Sequence, residues 1–566
     1  MTKLAIGINL DRCIGCHTCA NACKMQNNVP MNMLWNRVIT EGCDVIDGAV
    51  GEYPNLSRTY IALACQHCEN AACKKVCPTG ATYKDDKGRV EIDYNKCIGC
   101  RMCMAACPYN ARVFNWEDPH REPDFNYGDA RVPVRTRGVM EKCTLCKERT
   151  DDGEKPMCVA CCPTHARVYG DLDDPESEIS KLHAMKKSPY SSGRKGHEAP
   201  GLLLQQLGGA TMQFSSKAKA GLGILLAVMV VGFCAYVYQL MGGLGVTGMS
   251  NGVSWGLYIT CFMFFVGLSA GGLIVASSAH VFHIESFKKV SMPAVITSTV
   301  CILCAGAFIL IDLGGIQRIW NMFVSLNFTS PLAWDMCVIT TYLVINILDI
   351  VWLRKGDERK VQILSYVALP VAILVHSVTA WIFGLEIAKE GWYSAIMAPI
   401  FVASAMDSGL ALLMCVLAAS KKAGIFDAGE KLFADLARLL ATFIAVDAFF
   451  IGCELLTVFY PGTEGATELL GIMTSGATAP FFWFEIIGGL LIPFLLLASA
   501  KRRKNTVLVV LASALVMFGV FCKRVWLLFT SFAMTNMYGA PGISSGSTIA
   551  RNSTGADMWS LAGSYM

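Results

Sequence analysis

The sequence predicts two unlike parts in one chain: a duplicated α+β cysteine-rich domain, then an all-α polytopic transmembrane bundle of about nine helices. Three observations predict this. Sixteen of the 26 cysteines fall in four runs before residue 164. With 54% hydrophobic residues and a mean hydropathy of +0.44 over 566 residues, the chain is too apolar for one soluble domain. Apolar stretches of spanning length recur after residue 220.

The cysteine runs come first. They are Cys13, Cys16, Cys19 and Cys23; Cys65, Cys68, Cys73 and Cys77; Cys97, Cys100, Cys103 and Cys107; and Cys143, Cys146, Cys158 and Cys162. Four thiolates per run match four cubane 4Fe–4S clusters, a route for single electrons. In paired clusters the fourth cysteine of a run, usually followed by proline, ligates the neighbouring cluster. That rule groups Cys13, Cys16 and Cys19 with Cys162, and Cys143, Cys146 and Cys158 with Cys23. The inner pair becomes Cys65, Cys68 and Cys73 with Cys107, and Cys97, Cys100 and Cys103 with Cys77. Structural zinc is the alternative, but zinc ribbons use paired cysteines rather than triplets followed by Cys-Pro. A disulfide framework is less favoured, because no signal peptide is expected ahead of the runs. Cys161 is displaced as a ligand by Cys162, which has the spacing and the following Pro163, and Cys43 is expected to be a buried thiol.

The runs repeat. Cys13-Ile14-Gly15-Cys16 matches Cys97-Ile98-Gly99-Cys100, and both are followed by a run ending Cys-Pro-Thr, at Cys77 and at Cys162. Residues 1–182 therefore read as two ferredoxin-like units with inserts. Lys142-Cys143-Thr144-Leu145-Cys146, the stretch 153–163 and Gly170-Asp171-Leu172-Asp173-Asp174-Pro175 resemble the iron–sulfur subunits of molybdopterin oxidoreductases such as dimethyl sulfoxide and polysulfide reductases, over residues 4–182. The resemblance implies a relay between a membrane anchor and a separate molybdopterin catalytic subunit.

Residues 183–216, with Lys186-Lys187-Ser188-Pro189, read as a polar linker. Nine spans follow, near 220–241, 255–280, 293–313, 334–353, 362–384, 395–419, 437–460, 480–499 and 506–530, which makes 217–530 the membrane domain. Cys301 and Cys304 lie within a span as small buried thiols. Residues 531–566, rich in Gly, Ser and Thr, read as a tail.

Charge orients the bundle. One set of connections holds Lys288, Lys289, Arg354, Lys355, Arg359, Lys360, Lys421, Lys422, Lys431 and 501–504, while the opposite set offers little beyond Arg318 and Lys389. Basic connections stay in the cytoplasm, so a multi-pass protein of a prokaryotic inner membrane is expected. The cysteine domain precedes the first span and is expected on that same cytoplasmic side, although many relatives of this family carry the corresponding subunit on the outer face. The net charge of +4 is accounted for by these connections and gives no nucleic-acid signal.

Within the spans, Trp255-Gly256-Leu257-Tyr258, Gly267 through Gly272, Asp312-Leu313-Gly314 with Arg318 and Trp320, Trp334-Asp335, the stretch 379–384, and Phe401 through Ala405 with Ser408-Gly409-Leu410 resemble the NrfD-type membrane subunits of polysulfide reductase, over about 252–530. That resemblance implies a haem-free integral membrane protein that binds menaquinone or a similar quinone. Haem b commonly needs paired axial histidines, and only His280, His283 and His376 lie in or beside spans. Ionisable residues inside spans mark proton and ligand pathways. His376, Asp407 and Asp447 fall near mid-span and Arg524 toward the outer half, and these four are the candidate quinone and proton residues. Asp312, Asp335, Glu386, Glu454, Glu485 and Lys523 also fall in the outer half. A quinone near cytoplasmic clusters would instead use His280, His283, Asp349 or Tyr366. Three functions are open: quinone-linked electron transfer to a molybdopterin partner in anaerobic respiration, a quinone-driven proton-translocating module, or a membrane-anchored polyferredoxin without a quinone site.

Overall fold

The computed structural model describes residues 4–31, 33–40, 55–56, 58–120, 125–126, 128–133, 135–185, 216–389 and 391–534. Cys43, most of the expected linker and nearly all of the expected tail lie outside them.

Among the described residues, strands in the cysteine domain are short and pair in antiparallel twos. β1 (Leu4–Ile8) pairs with β8 (Arg167–Asp171) in the register Leu4 to Asp171, which ties the two ends of the domain together. β2 (Asn36–Thr40) pairs with β3 (Tyr60–Ala64), β4 (Thr82–Lys84) with β5 (Val90–Ile92), and β6 (Val113–Phe114) with β7 (Met140–Glu141). Cysteine loops connect the ribbons, and the sheet core is correspondingly small. A helix at Glu178–Met185 closes the domain by setting Ile179 against Gly7 and Gly170.

Nine helices among the described residues are long and apolar enough to cross a membrane. They are α1 (Ser216–Gly242), α2 (Leu257–Val281), α3 (Ser291–Asp312), α4 (Pro331–Lys355), α5 (Glu358–Gly384), α6 (Met397–Lys422), α7 (Glu430–Phe459), α8 (Ala479–Ala498) and α9 (Thr506–Ala533). The count and order agree with the sequence reading. The starts of α5 and α7 fall earlier because polar first turns are helical: Asp357 caps α5 through the Lys360 N–H, and Glu430 opens α7. α8 contains a π-helical stretch at Phe484–Leu491 that includes Glu485.

Small residues let the spans meet. Gly271 of α2 and Gly409 of α6 touch backbone to backbone, so a Cβ on Gly409 would lie 2.5 Å from the Gly271 Cα. Gly489 and Gly519 do the same for α8 and α9. Close approach of this kind supplies the packing that lipid, being as apolar as leucine, does not drive. Buried polar glue adds to it: Ser298 Oγ lies 2.7 Å from the Tyr342 hydroxyl and donates to Asn346 at 2.8 Å, joining α3 to α4.

One core runs through both parts. Val76, Met102, Phe114 and Met140 of the cysteine domain share a continuous apolar cluster with Trp255, Phe262 and Phe383 of the bundle. Contact is made at the ends of α1 and α3 and the starts of α2 and α4, where Arg318, Asn251 and Asn327 hydrogen-bond the domain. Here the structure corrects the sequence reading. Since α2, α4, α6 and α8 begin at this end and run away from it, the basic connections at 288–289, 354–360, 421–422 and 501–504 lie at the opposite end. The domain sits opposite the basic loops because the buried Arg101–Asp312 pair and the glycine contacts are built there, irrespective of where the chain enters α1.

Candidate functional site

All four cysteine runs use one local device. The third residue of each Cys-x2-Cys, namely Gly15, His67, Gly99 or Leu145, has a φ of 68°, 44°, 71° or 54°. A left-handed residue turns successive N–H groups into a concavity that receives negative charge. The Leu145 N–H accordingly lies 3.4 Å from Cys143 Sγ. Glycine takes this conformation freely, whereas a Cβ costs roughly 1–2 kcal/mol, so His67 and Leu145 store strain at the site. Sequence reasoning missed these two, since only the glycines announce the turn. The third cysteine of each run then sits on a short helix: Cys19 on Thr18–Gln26, Cys73 on Ala72–Lys75, Cys103 on Met102–Ala105 and Cys158 on Met157–Ala160.

The structure gathers the sixteen cysteines into the four sets that spacing groups. Burial, then the adjacent Cys143, Cys146 and Cys158, hold the Cys23 thiol well above its ordinary value. Cys68 is pushed up to about 11 by burial and then by Cys65, Cys73 and Cys107. Cys100 rises to about 12 through burial, with Cys77 and Cys97 as its thiol neighbours. Cys13, Cys16, Cys19 and Cys162 line a common space, as do Cys77, Cys97, Cys100 and Cys103. Cys161 lies beside Cys19 and Cys162 without lining their common space, its thiol donating to the Thr18 carbonyl at 3.8 Å. Mutual repulsion among buried thiols is what a cationic metal group relieves. A single zinc needs its sulfurs converging within about 4 Å of one another. Among the described residues no three His, Cys, Asp or Glu side chains close on one ion, and two of the thiol sets line a common space instead. Four sulfurs around such a space fit an iron–sulfur cluster.

The sets stand in file. Cys158 is within electrostatic reach of Cys19, and Cys143 of Cys65, while Arg112 lies between Cys103 and the Cys65 set. The order from the exposed end is the Cys13, Cys143, Cys65 and Cys97 sets. The last of these is bound to the bundle: Arg318 Nε donates to the Cys97 carbonyl at 2.5 Å and Trp255 Nε1 to the Cys100 carbonyl at 3.1 Å. Arg101 donates to the Ser254 carbonyl at 2.7 Å and pairs with Asp312, both side chains buried. Gly138 and Gly314 are required, since a Cβ on Gly138 would collide with the Gly314 carbonyl oxygen.

Directly beyond Cys100 lies a cavity of about 250 Å³ between α2, α3, α4 and α5. Its wall includes Cys100, Trp255, Phe383 and Met336, with Asp312 and Asp335 as its carboxylates. Asp312 is taken by Arg101. Asp335 receives the Thr379 hydroxyl at 2.6 Å on Oδ1, and its Oδ2 has no partner. Leu310 and Phe323 on the rim are exposed on the outer surface of the bundle. His280, His283, Asp349 and Tyr366 do not line this cavity; His280 and His283 are at the basic end, where His283 Nε2 meets Gln362 at 2.9 Å.

The four candidate residues inside the bundle form a separate cluster. Lys523 Nζ lies 3.6 Å from Asp447 and 3.4 Å from Glu485, whose other oxygen accepts from Trp526. Arg524 donates to Ser404 Oγ at 2.6 Å and stacks 3.8 Å over Phe401. Both oxygens of Asp407 and Asp447 and both ring nitrogens of His376 are buried without hydrogen-bond partners. Glu386 and Lys389 are buried in the connection after α5; burial raises Glu386 to about 8 and lowers Lys389 to about 7.

Comparisons with known proteins agree with this division. The family described as "Polysulphide reductase, NrfD" matches residues 245–536, and a 4Fe-4S dicluster domain matches 56–122 and 130–172. In Halobacterium salinarum, the putative iron–sulfur subunit of a dimethyl sulfoxide reductase is 55% identical over 190 residues, 32% of this chain and 72% of that protein. The putative membrane subunit of dimethyl sulfoxide reductase in the same organism is 34% identical over 375 residues, 62% of this chain and 86% of its own. An Hdr-like menaquinol oxidoreductase integral membrane subunit of Archaeoglobus fulgidus is 30% identical over 306 residues, 54% of this chain and 77% of its own.

Proposed function

We propose that this chain, which belongs to the NrfD polysulphide reductase family and carries an iron–sulfur subunit in the same polypeptide, exchanges electrons between membrane quinone and a separate molybdopterin catalytic subunit. The observation that carries this reading is the placement of Cys100 in the wall of an apolar cavity that also holds Asp335. In this reading the four cysteine sets would each hold one 4Fe–4S cluster, which stores and passes one electron at a time. The bundle supplies the rest. A lipid-soluble quinol entering past Leu310 and Phe323 meets Trp255 and Phe383 as its apolar walls. Oxidation of that quinol passes two electrons, one at a time, toward the Cys97 set and releases two protons; Asp335, held by Thr379, takes each in turn at its free Oδ2, giving up the first to solvent before the second. Asp312 stays committed to Arg101, which keeps the Cys97 set against the cavity.

At the far end, Cys16 and Ile14 are exposed, and this surface suits docking of the catalytic partner. Because basic connections face the cytoplasm and the domain sits opposite them, we infer that the iron–sulfur end lies on the outer face.

The test is a quinone analogue titrated into membranes containing the protein. It is expected to perturb the electron paramagnetic signal of one cluster and to inhibit quinol-linked turnover. Asp335→Asn is expected to lower that turnover by about 10²-fold, the usual worth of a positioned base, with iron content unchanged. An analogue that changes neither signal nor turnover favours the polyferredoxin without a quinone site. A second reading, favoured by the buried charges gathered around Asp407 and Asp447, adds proton translocation through that cluster to the quinone reaction.

A further inference from the structure

Two arginines repeat with the cysteines. Five residues after the last cysteine of a run, Cys107-Pro108-Tyr109-Asn110-Ala111 leads to Arg112, and Cys162-Pro163-Thr164-His165-Ala166 leads to Arg167. The run ending at Cys77 keeps the alanine, Ala81, but continues with Thr82. Both guanidiniums are buried, at 1% and 5% exposure. Arg112 donates to Cys103 Sγ at 3.2 Å and to Thr82 Oγ1 at 3.3 Å, and its other charged neighbours are Cys73, Cys65 and Cys107. Arg167 donates to Asn36 Oδ1 at 2.8 Å, and its charged neighbours are Cys158, Cys19 and Cys143. Each arginine thus stands between two cysteine sets: Arg112 within the membrane-side pair, Arg167 within the distal pair.

Neither pairs with a carboxylate among the described residues, in contrast to Arg89, which has Asp85 and Asp151. The second terminal nitrogen of Arg112 has no partner among them. An uncompensated buried cation is strongly destabilising, so its counter-charge must come from the thiolate sites. Reduction adds one negative charge to a site, and a fixed cation beside it favours that reduced state.

We propose that Arg112 and Arg167 are duplicated positioning residues that raise the reduction potentials of the two cluster sites each one separates, so that no adjacent pair becomes a barrier in the file. This rests on the four-cluster assignment above, which iron content and the signal count of the parent protein test separately.

The experiment is redox titration of the full-length membrane protein, followed by electron paramagnetic resonance. Arg112→Met is expected to lower the potentials of the Cys65 and Cys97 sites. The expected size is at least a tenfold fall in the reduced-to-oxidised ratio at fixed potential, which is about 59 mV for a one-electron couple, with the distal pair unmoved. Arg167→Met should do the converse. Arg112→Lys and Arg167→Lys, which keep the charge, should restore the parent potentials. Unchanged potentials in a fully loaded methionine variant overturn the proposal, as does an equal shift at all four sites. If a methionine variant loses its clusters, the lysine variant decides: parent iron content and potential support a role for charge, and loss in both overturns it.

Discussion

At the scale of residues, the chemistry depends on which cysteine serves which site. In the proposed cross-ligation, Cys23, in the first run, would complete the site of the last. The environment of Cys23 agrees, because its thiol neighbours are Cys143, Cys146 and Cys158 rather than Cys13 or Cys16. Cys23→Ala is expected to lose or convert the Cys143-site cluster first, seen as one altered signal with three retained. Loss confined to the Cys13 site would contradict the grouping. This grouping is proposed from the sequence because cubane ligation imposes fixed spacings. The strain at His67 and Leu145 was not, since nothing in those side chains signals a left-handed backbone. The vacant Oδ2 of Asp335 was equally hidden; only the packed bundle reveals which intramembrane acids keep a free acceptor, Asp335 among them.

At the scale of elements, the spans were readable in number and order because lipid demands about twenty apolar residues from each. Their pairing was not. The contact of Gly271 with Gly409 joins helices far apart in sequence, and the Ser298–Tyr342–Asn346 bonds choose α3 and α4 as neighbours. Helices α6, α7, α8 and α9 together bury Asp407, Asp447, Glu485, Lys523 and Arg524, and the π-helical stretch of α8 places Glu485 there. Such stretches interrupt regular helix bonding and often mark functional positions. If this cluster moves protons, Asp447→Asn should abolish proton uptake beyond the quinol's own in sealed vesicles while quinol oxidation continues. Vesicles of the parent protein that show no such uptake would remove the translocation reading.

At the scale of the whole molecule, the decisive fact is the end of the bundle on which the iron–sulfur domain sits. The sequence reading met a conflict: most intramembrane acids lay in the half away from the expected clusters. Docking opposite the basic loops dissolves it, because Asp312, Asp335 and the Lys523 cluster all lie in the half that faces the domain. The outward orientation then predicts that antibodies to the domain bind intact spheroplasts, whereas a tag inserted at 424–429 becomes accessible only after lysis. The opposite pattern would reverse the sidedness.

By itself, the sequence determined the two-part architecture and the nine spans among the described residues, and it holds the spacing from which the cysteine grouping is proposed, because ligand spacing and bilayer thickness act locally along the chain. Only the tertiary structure decided where the file of cysteine sets meets the membrane, which carboxylates line the cavity, and that Arg112 and Arg167 lie between cysteine sets. Those follow from contacts between residues far apart along the chain, such as Arg101 with Asp312, where complementary charge offsets the cost of burying both groups. No local pattern records such contacts.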